Sequence, residues 1–431
     1  MKISFVYADK PQELNTSIYR NVIPWMALKE KGYAPYLIPI NLFEQNPPNV
    51  DEALGKSDII VIERNLFGDV LTRIAYWIVR GKIIVANYDD FYEGIEETNA
   101  SYSFWKKGEV TYKVKDYEEK SMKSLFYHFP VNGNNTIEKH YVPHFLNDPI
   151  EIKKMFEKPK YYQNKWHDKN FIPYRVATEK EKMITKVSYP HPLWQFKLGL
   201  KMVHAQIMPS KHLMRKYKSH SPTYYIPNYF ITQNYVNIPK DKRDYLVIGW
   251  GGSMSHIQSF KDSGVIKAVE NIVNSRDDVK FMIVGDMRVL NVINIPNDKK
   301  LFHPYVKNED WGAVLSKNFD IGIAPLEGEY DKCRSIIKPI EYMLTKTPFV
   351  ASYGEAYKEL AGIGGLGNFV KNSVANWETK LRYIIDNYET EKEKMKGKPF
   401  EYAMTWDYLS NVEYMVDTYK KIAREQGKKW F

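Results

Sequence analysis

The stretch Ala324–Glu341, APLEGEYDKCRSIIKPIE, gathers the side chains best suited to chemistry. Arg334 and Ser335 stand just before an apolar segment, Ile336–Thr345, whose spacing predicts a helix. Arg334 and Lys338 are four apart, so both cations could address one anion near the helix start. Glu341 could accept two hydroxyl hydrogen bonds, as from a ribose; the plainer reading is a surface ion pair with Lys338. A second candidate is Gly249-Trp250-Gly251-Gly252-Ser253, between a predicted strand and a predicted helix. Glycines there let backbone N–H groups approach a phosphate, although an ordinary tight turn uses the same residues. Asp89 and Asp90 end a predicted strand and Arg64 ends its neighbour, where α/β sheets hold ligands. For the Asp pair, a helix cap or turn is the alternative. His128, in an aromatic run, could line an acceptor groove or be structural.

Other chemistries find little support. His140 and His144 have helical spacing, but Pro143 lies between them, and no His-Glu-x-x-His or paired-Cys pattern occurs, so no metal site is expected. The run from Gly362 to Gly367 matches the dinucleotide fingerprint by letter only. A helical stretch precedes it and a strand-like one follows, the reverse of the required order, so it reads as a loop. There is no Gly-x-Ser-x-Gly elbow, and Cys333, the only cysteine, reads as a core thiol. A single cysteine also excludes an intrachain disulfide, which favours a cytoplasmic location.

The elements that must position these residues alternate. Strands are predicted at 2–8, 34–40, 58–63 and 82–87, with helices at 15–31 and 70–80. A polar stretch at 239–243 reads as a linker, after which the rhythm restarts. Strands are expected at 246–249, 280–285, 321–325 and 349–352, with helices at 261–275, 311–317 and 336–345 and helical stretches to the end. Such alternation predicts α/β architecture with two doubly wound parallel sheets and a cleft between them. With 431 residues, 44% of them hydrophobic, the chain can fill two cores. The expected division is 1–240, 241–402, and a closing helix, 403–431, that packs back on the first domain.

Residues 100–200 break the rhythm and read as an elaboration of short helices and ordered loops. Charge is concentrated there too. Residues 101–240 hold 22 Lys and 2 Arg against 11 acidic residues, whereas the whole chain carries +10. That is either a solvated lysine-rich face or a surface for an anionic partner: nucleic acid, phospholipid headgroups or an acidic polymer.

Several of these segments together resemble retaining GT-B glycosyltransferases of family 4. They are IGWGGSMSH (248–256), FMIVGD (281–286), DIGIAPLEGEYDKCRSIIKPIEYM (320–343) and PFVAS (348–352), with SIYR (17–20), IVIERN (60–65) and IMPSKHLMRKY…YIPNY (207–229) in the first half. The resemblance implies a nucleotide-sugar donor, UDP- or GDP-linked, with no cofactor or metal required. It places Gly251, Gly252 and Ser253 against the diphosphate, and Arg334, Ser335 and Lys338 beside the phosphates and sugar. It puts Glu341 on the ribose and Tyr305-Val306 at the nucleobase. Arg334, Lys338 and Asp89 are the expected catalytic groups, and Arg64, Asp90 and His128 the expected acceptor contacts. Where many members carry an acidic residue eight positions before the second, this chain has Cys333. The implied reaction is sugar transfer with retention, to a polysaccharide or glycolipid and at a cytoplasmic or peripheral membrane site. The rivals are transfer to modified bases in DNA, and a non-catalytic nucleic-acid- or carbohydrate-binding protein on a decayed transferase fold.

Overall fold

The computed structural model describes residues 1–10, 15–99, 101–107, 110–113, 127–130, 137–143, 174–176, 186–189, 192–252 and 256–428. Its first half is built on β1 (Ile3–Tyr7), β2 (Tyr36–Pro39), β3 (Ile59–Glu63) and β4 (Ile83–Asn87). The chain then runs through β5 (Val110–Lys113), β6 (Tyr127–Pro130), β7 (Ile137–Pro143), β8 (Tyr174–Val176) and β9 (Lys186–Tyr189). With β10 (Ala205–Met208) and β11 (Thr223–Tyr225) it returns to the first sheet, whose order is β11-β10-β4-β3-β1-β2. The second half has β12 (Leu246–Gly252), β13 (Val279–Gly285), β14 (Lys300–His303), β15 (Ile321–Ala324), β16 (Phe349–Ser352) and β17 (Asn368–Val370). Their order is β14-β13-β12-β15-β16-β17, and every pairing in both large sheets is parallel.

Buried apolar runs such as IIVIE and IIVAN explain the parallel sheets, because helices cover both faces and leave no polar side. One core cluster packs the helices Asp69–Val79 and Pro192–Met202 against the first sheet. Another packs Val265–Ser275 and Val374–Asp386 against the second. A third is continuous across both halves, from Phe5 and Val61 in the first to Ile340 and Met343 in the second. It includes the helix Val412–Glu425, whose Tyr419 ring meets Phe5 edge-on at 6.1 Å. The chain reaches that helix by pairing Phe230 with Trp406 and Tyr408 through backbone hydrogen bonds of 3.0 Å each.

Three local expectations need correction. The described parts of 100–200 include two small antiparallel sheets, β5-β9 and β6-β7-β8, where short helices and loops were expected. Segments such as Val-Thr-Tyr-Lys are rich in strand-forming residues, and the interleaved lysines hid that pattern. The 261–275 helix is broken, into Ile257–Asp262 and Val265–Ser275, by Gly264 at φ +83°. β12 does not stop at Gly249 but runs on to Gly252, so Gly251 and Gly252 are strand residues and not a turn. Strand β14 carried too little apolar signal to be foreseen. Among the described residues no helix is long and apolar enough to cross a membrane.

Candidate functional site

Both sheets present the carboxyl ends of their strands to one cleft, a cavity of about 610 Å³. In each sheet the strand order reverses at one place, between β1 and β3 in the first and between β12 and β15 in the second. Loops leaving such a switch point diverge and open a crevice, which is where α/β sheets hold ligands. Asp9 after β1 and Arg64 after β3 meet across the first switch at 2.5 Å. Gly251 and Gly252 end β12, and the segment after β15 supplies Arg334, Lys338 and Glu341, so the second switch point gathers the second-half candidates.

The glycines of β12 are there for close packing. A Cβ on Gly251 would lie 2.3 Å from Cη2 of Trp311, a ring that itself lines the cleft. Gly285, closing β13 at φ +119°, would bring a Cβ within 2.4 Å of the Gly252 carbonyl. This lets the cleft wall approach a ligand as bare backbone. Lys338, on the helix Ile337–Leu344, donates from Nζ to the Gly251 carbonyl at 2.5 Å and sits 5.4 Å over the Trp250 ring. It is therefore not paired with Glu341, as the plainer sequence reading had it. Glu341 is 3% exposed and accepts from the hydroxyls of Tyr19 at 2.9 Å and Tyr235 at 3.3 Å.

On the opposite wall Asp90 forms a 2.5 Å ion pair with Arg334, joining the two halves across the cleft. Asp89 accepts from Thr16 Oγ1 at 3.3 Å through both oxygens. Beneath this wall lies a buried polar network. Arg20, 2% exposed, donates to Asn87 Oδ1, Asn228 Oδ1 and the Ile226 carbonyl. Glu63, fully buried, accepts from Ser17, Asn21, Arg64 and the Ala8 amide. These contacts fix the strand ends that carry Arg64 and Asp89.

The charges in the cleft perturb one another. Burial, and then the charge of Asp90, pushes the Asp89 carboxyl up to about 7 against the pull of Arg334 and Arg20. Burial likewise pushes Glu341 up to about 7, although Lys338 and the tyrosine hydroxyls act the other way. Burial lowers the Lys338 ammonium. His256, also on the cleft, is held well below its ordinary value by burial and by Arg334 and Lys338, so its imidazole is neutral at pH 7. Its Nε2 lies 3.4 Å from Arg334, and its buried Nδ1 has no partner among the described residues.

Of the residues singled out from sequence, Arg64, Asp89, Asp90, Gly251, Gly252, Tyr305, Val306, Arg334, Lys338 and Glu341 share this one cavity. Ser335 does not. It lines a separate cavity of about 460 Å³ with Lys211, Arg215 and Trp406, where its hydroxyl accepts from Asn228 at 3.1 Å. Ser253 lies outside the described residues, and of His128 only its place in β6 is described. Cys333 is fully buried in the first-half core, and burial pushes its thiol up to about 12, so it does not face the cleft. Much of the basic segment, too, lies outside the described residues. Where described, it is partly neutralised: Lys197 by Glu93, Lys211 by Glu359, Arg215 by Glu355 and Lys216 by Glu329. Tyr19, Glu63, His256 and Trp311 were not singled out. SIYR (17–20) and the His closing 248–256 were the available signals, but a role for them needs the fold.

No family model and no curated protein matches the chain in sequence. Solved structures are similar. A glycosyltransferase from Rickettsia africae superposes with a TM-score of 0.55 at 13% identity, covering 98% of each chain. Sucrose-phosphate synthase from Thermosynechococcus elongatus gives a TM-score of 0.55 at 11% identity, over 98% of this chain and 99% of that one. Anabaena HepE, solved with UDP and glucose, gives 0.54 at 11% identity, over 98% and 100%. With its two parallel sheets and the crevice between them, the chain has the GT-B fold of these glycosyltransferases.

Proposed function

We propose that the protein is a glycosyltransferase that takes a sugar from a UDP- or GDP-linked donor and passes it, with retention, to a hydroxyl of a polysaccharide or glycolipid. The observation that carries this reading is the convergence of Arg334 and Lys338 with the bare backbone of Gly251 and Gly285 on one crevice. Two cations facing an approachable backbone suit a diphosphate. HepE, of the same fold, was solved with UDP, which supports a nucleotide there. In this reading residues 1–240 hold the acceptor, 241–402 hold the donor, and 403–431 brace the first part.

Arg334 and Lys338 stabilise the charge that develops on the leaving phosphate as the bond from the anomeric carbon to its oxygen breaks. The acceptor hydroxyl attacks the same face and its proton passes to the departing phosphate, so no protein nucleophile is required. Glu341 meets the ribose hydroxyls, and Tyr305 and Val306 border the base. Asp89 and Asp90 face the acceptor side, with Arg64 held between Asp9 and Glu63. Two carboxylates on that wall disfavour a polyanionic acceptor such as DNA.

A thermal-shift series with UDP, GDP and their sugars tests the reading. A nucleotide at 100 times its Kd stabilises the fold by about 2.7 kcal/mol. Arg334→Ala and Lys338→Ala are expected to abolish that shift and to lower kcat more than they weaken acceptor binding. Indifference to every nucleoside diphosphate, or unaltered turnover by both variants, would overturn it.

A further inference from the structure

The first-half wall of the cleft holds a feature that the donor chemistry does not use. The turn Ser103–Lys107 sets Phe104 and Trp105 side by side on the cavity. Phe104 is 46% exposed, although it is a large apolar ring next to a well-filled core. It is nonetheless rigidly mounted. Phe67 meets it edge-on at 5.4 Å and Trp105 at 5.3 Å, and Trp105 is stacked on buried Tyr92 at 4.0 Å.

The same cavity is lined by three neutral amides. The Asn65 side-chain amide makes no hydrogen bond among the described residues. Asn99 accepts from the Ser101 amide at 2.9 Å through Oδ1, which leaves its NH₂ group to donate. Asn15 donates to the Lys10 carbonyl, and its Oδ1 is buried without a partner among the described residues, so a ligand reaches it only if the side chain turns outward. All three line the same cavity as Asp89. An exposed aromatic face in a cavity that amide groups also line matches one kind of ligand. A pyranose offers apolar C–H groups on its face and hydroxyls at its edge. A phosphate would want a free cation here, whereas Arg64 is already paired with Asp9 and Glu63, and an acyl chain would leave the amides unpaired.

We propose that Phe104, with Asn65, Asn99 and Asn15, forms a subsite for an uncharged sugar ring of the acceptor. The subsite stacks that ring on Phe104 and turns one of its hydroxyls towards Asp89. This rests on the transferase reading for the word acceptor, but the recognition of a sugar stands on the wall itself.

The test uses the full-length protein, saturated with UDP, on an array of neutral and acidic oligosaccharides that also carries single-stranded oligonucleotides. Retention of neutral glycans is expected. Phe104→Ala should weaken it at least tenfold, Phe104→Trp should preserve it, and Asn99→Ala should weaken it about fivefold. UDP affinity should stay within twofold in all three. Retention of no glycan, retention unaffected by Phe104→Ala, or preference for the oligonucleotides overturns the proposal. So does a loss of UDP affinity in Phe104→Ala, which would make the ring a nucleobase platform. Absence of UDP and GDP binding with glycan retention intact would instead overturn the transferase reading and leave the sugar subsite standing.

Discussion

Asp90→Asn is the substitution whose consequence can be worked furthest. Asp89 is pushed up to about 7 by burial and by the charge of Asp90 beside it. Two unit charges about 6 Å apart at an effective dielectric of about 20 interact by about 2.8 kcal/mol, or about two pKa units. Arg334, 2.5 Å from Asp90, lowers Asp89 in the parent and in the variant alike, so the substitution removes the whole Asp90 contribution. Removing the Asp90 charge should therefore lower Asp89 from its present value of about 7. Releasing Arg334 from its ion pair acts in the same direction. The readout is the affinity for UDP-glucose, whose diphosphate charge does not change between about pH 5 and 9. Below its pKa Asp89 is neutral and does not oppose the diphosphate; above it, Asp89 is charged and does. Binding should thus weaken as pH rises through about 7, by roughly tenfold if about 1.4 kcal/mol of the repulsion survives the nearby cations. Glu341 is also at about 7 and titrates in the same window, and His256 is already neutral. The diagnostic quantity is therefore the difference between variants, measured by calorimetry. Above about pH 7 Asp90→Asn should bind more tightly, with the Asp89 part of the transition moved down by up to about two units. An unmoved transition, or weaker binding by Asp90→Asn above about pH 7, would refute the assignment of the repulsion to this pair.

Lys338→Met keeps the length of the side chain and removes the ammonium that bonds Gly251; donor affinity should fall at least tenfold while the melting temperature holds or rises, because a partly buried charge has gone. Tyr19→Phe deletes one hydroxyl from Glu341, so UDP affinity should drop by about 1.5 kcal/mol, or roughly tenfold, with a smaller loss for 2′-deoxy-UDP. Gly251→Ala would place a methyl 2.3 Å from the Trp311 ring and should cost about 1–3 kcal/mol, visible as a lower denaturant midpoint. Cys333 should resist alkylation at about pH 8 in the folded protein and react once it is unfolded, since its thiol is buried and raised to about 12.

Most of the architecture was legible because buried parallel strands write themselves as short apolar runs. DIIVIE and KIIVAN needed no partner to be read. Arg334 and Lys338 do line one cavity, but not through helical spacing: Arg334 precedes the helix Ile337–Leu344 that carries Lys338, and its ion pair with Asp90 holds it there. What failed depended on distant residues. Gly251 and Gly252 looked like a turn, because nothing local shows that Trp311 and β13 occupy the space a side chain would need. The resemblance placed Ser335 with Arg334 beside the phosphates, yet neighbours before a helix point to different sides, and Ser335 meets Asn228 in another cavity. The ties of Tyr19 to Glu341 and of Asp90 to Arg334 span 322 and 244 residues, beyond the reach of any periodicity.

The polarity of the contacts between the halves separates what holds the fold from what works in the cleft. Outside the cleft the first half brings cations and the second half brings acids: Lys211 to Glu359, Arg215 to Glu355, Lys216 to Glu329. Those pairs are largely exposed and contribute about 0–1 kcal/mol each, so the apolar cluster shared by both sheets must do most of the joining. Inside the cleft the order inverts, with Asp90 on the first half and Arg334 on the second. An ion pair meant only to fasten the halves would follow the outer pattern. Under the proposed donor reading, the inversion puts cation on the wall that takes the diphosphate and carboxylate on the wall that takes the acceptor hydroxyls. In that reading Asp90 occupies Arg334 before a donor binds much as a phosphate would, and the donor exchanges one anion for another rather than stripping a bare guanidinium of its partner.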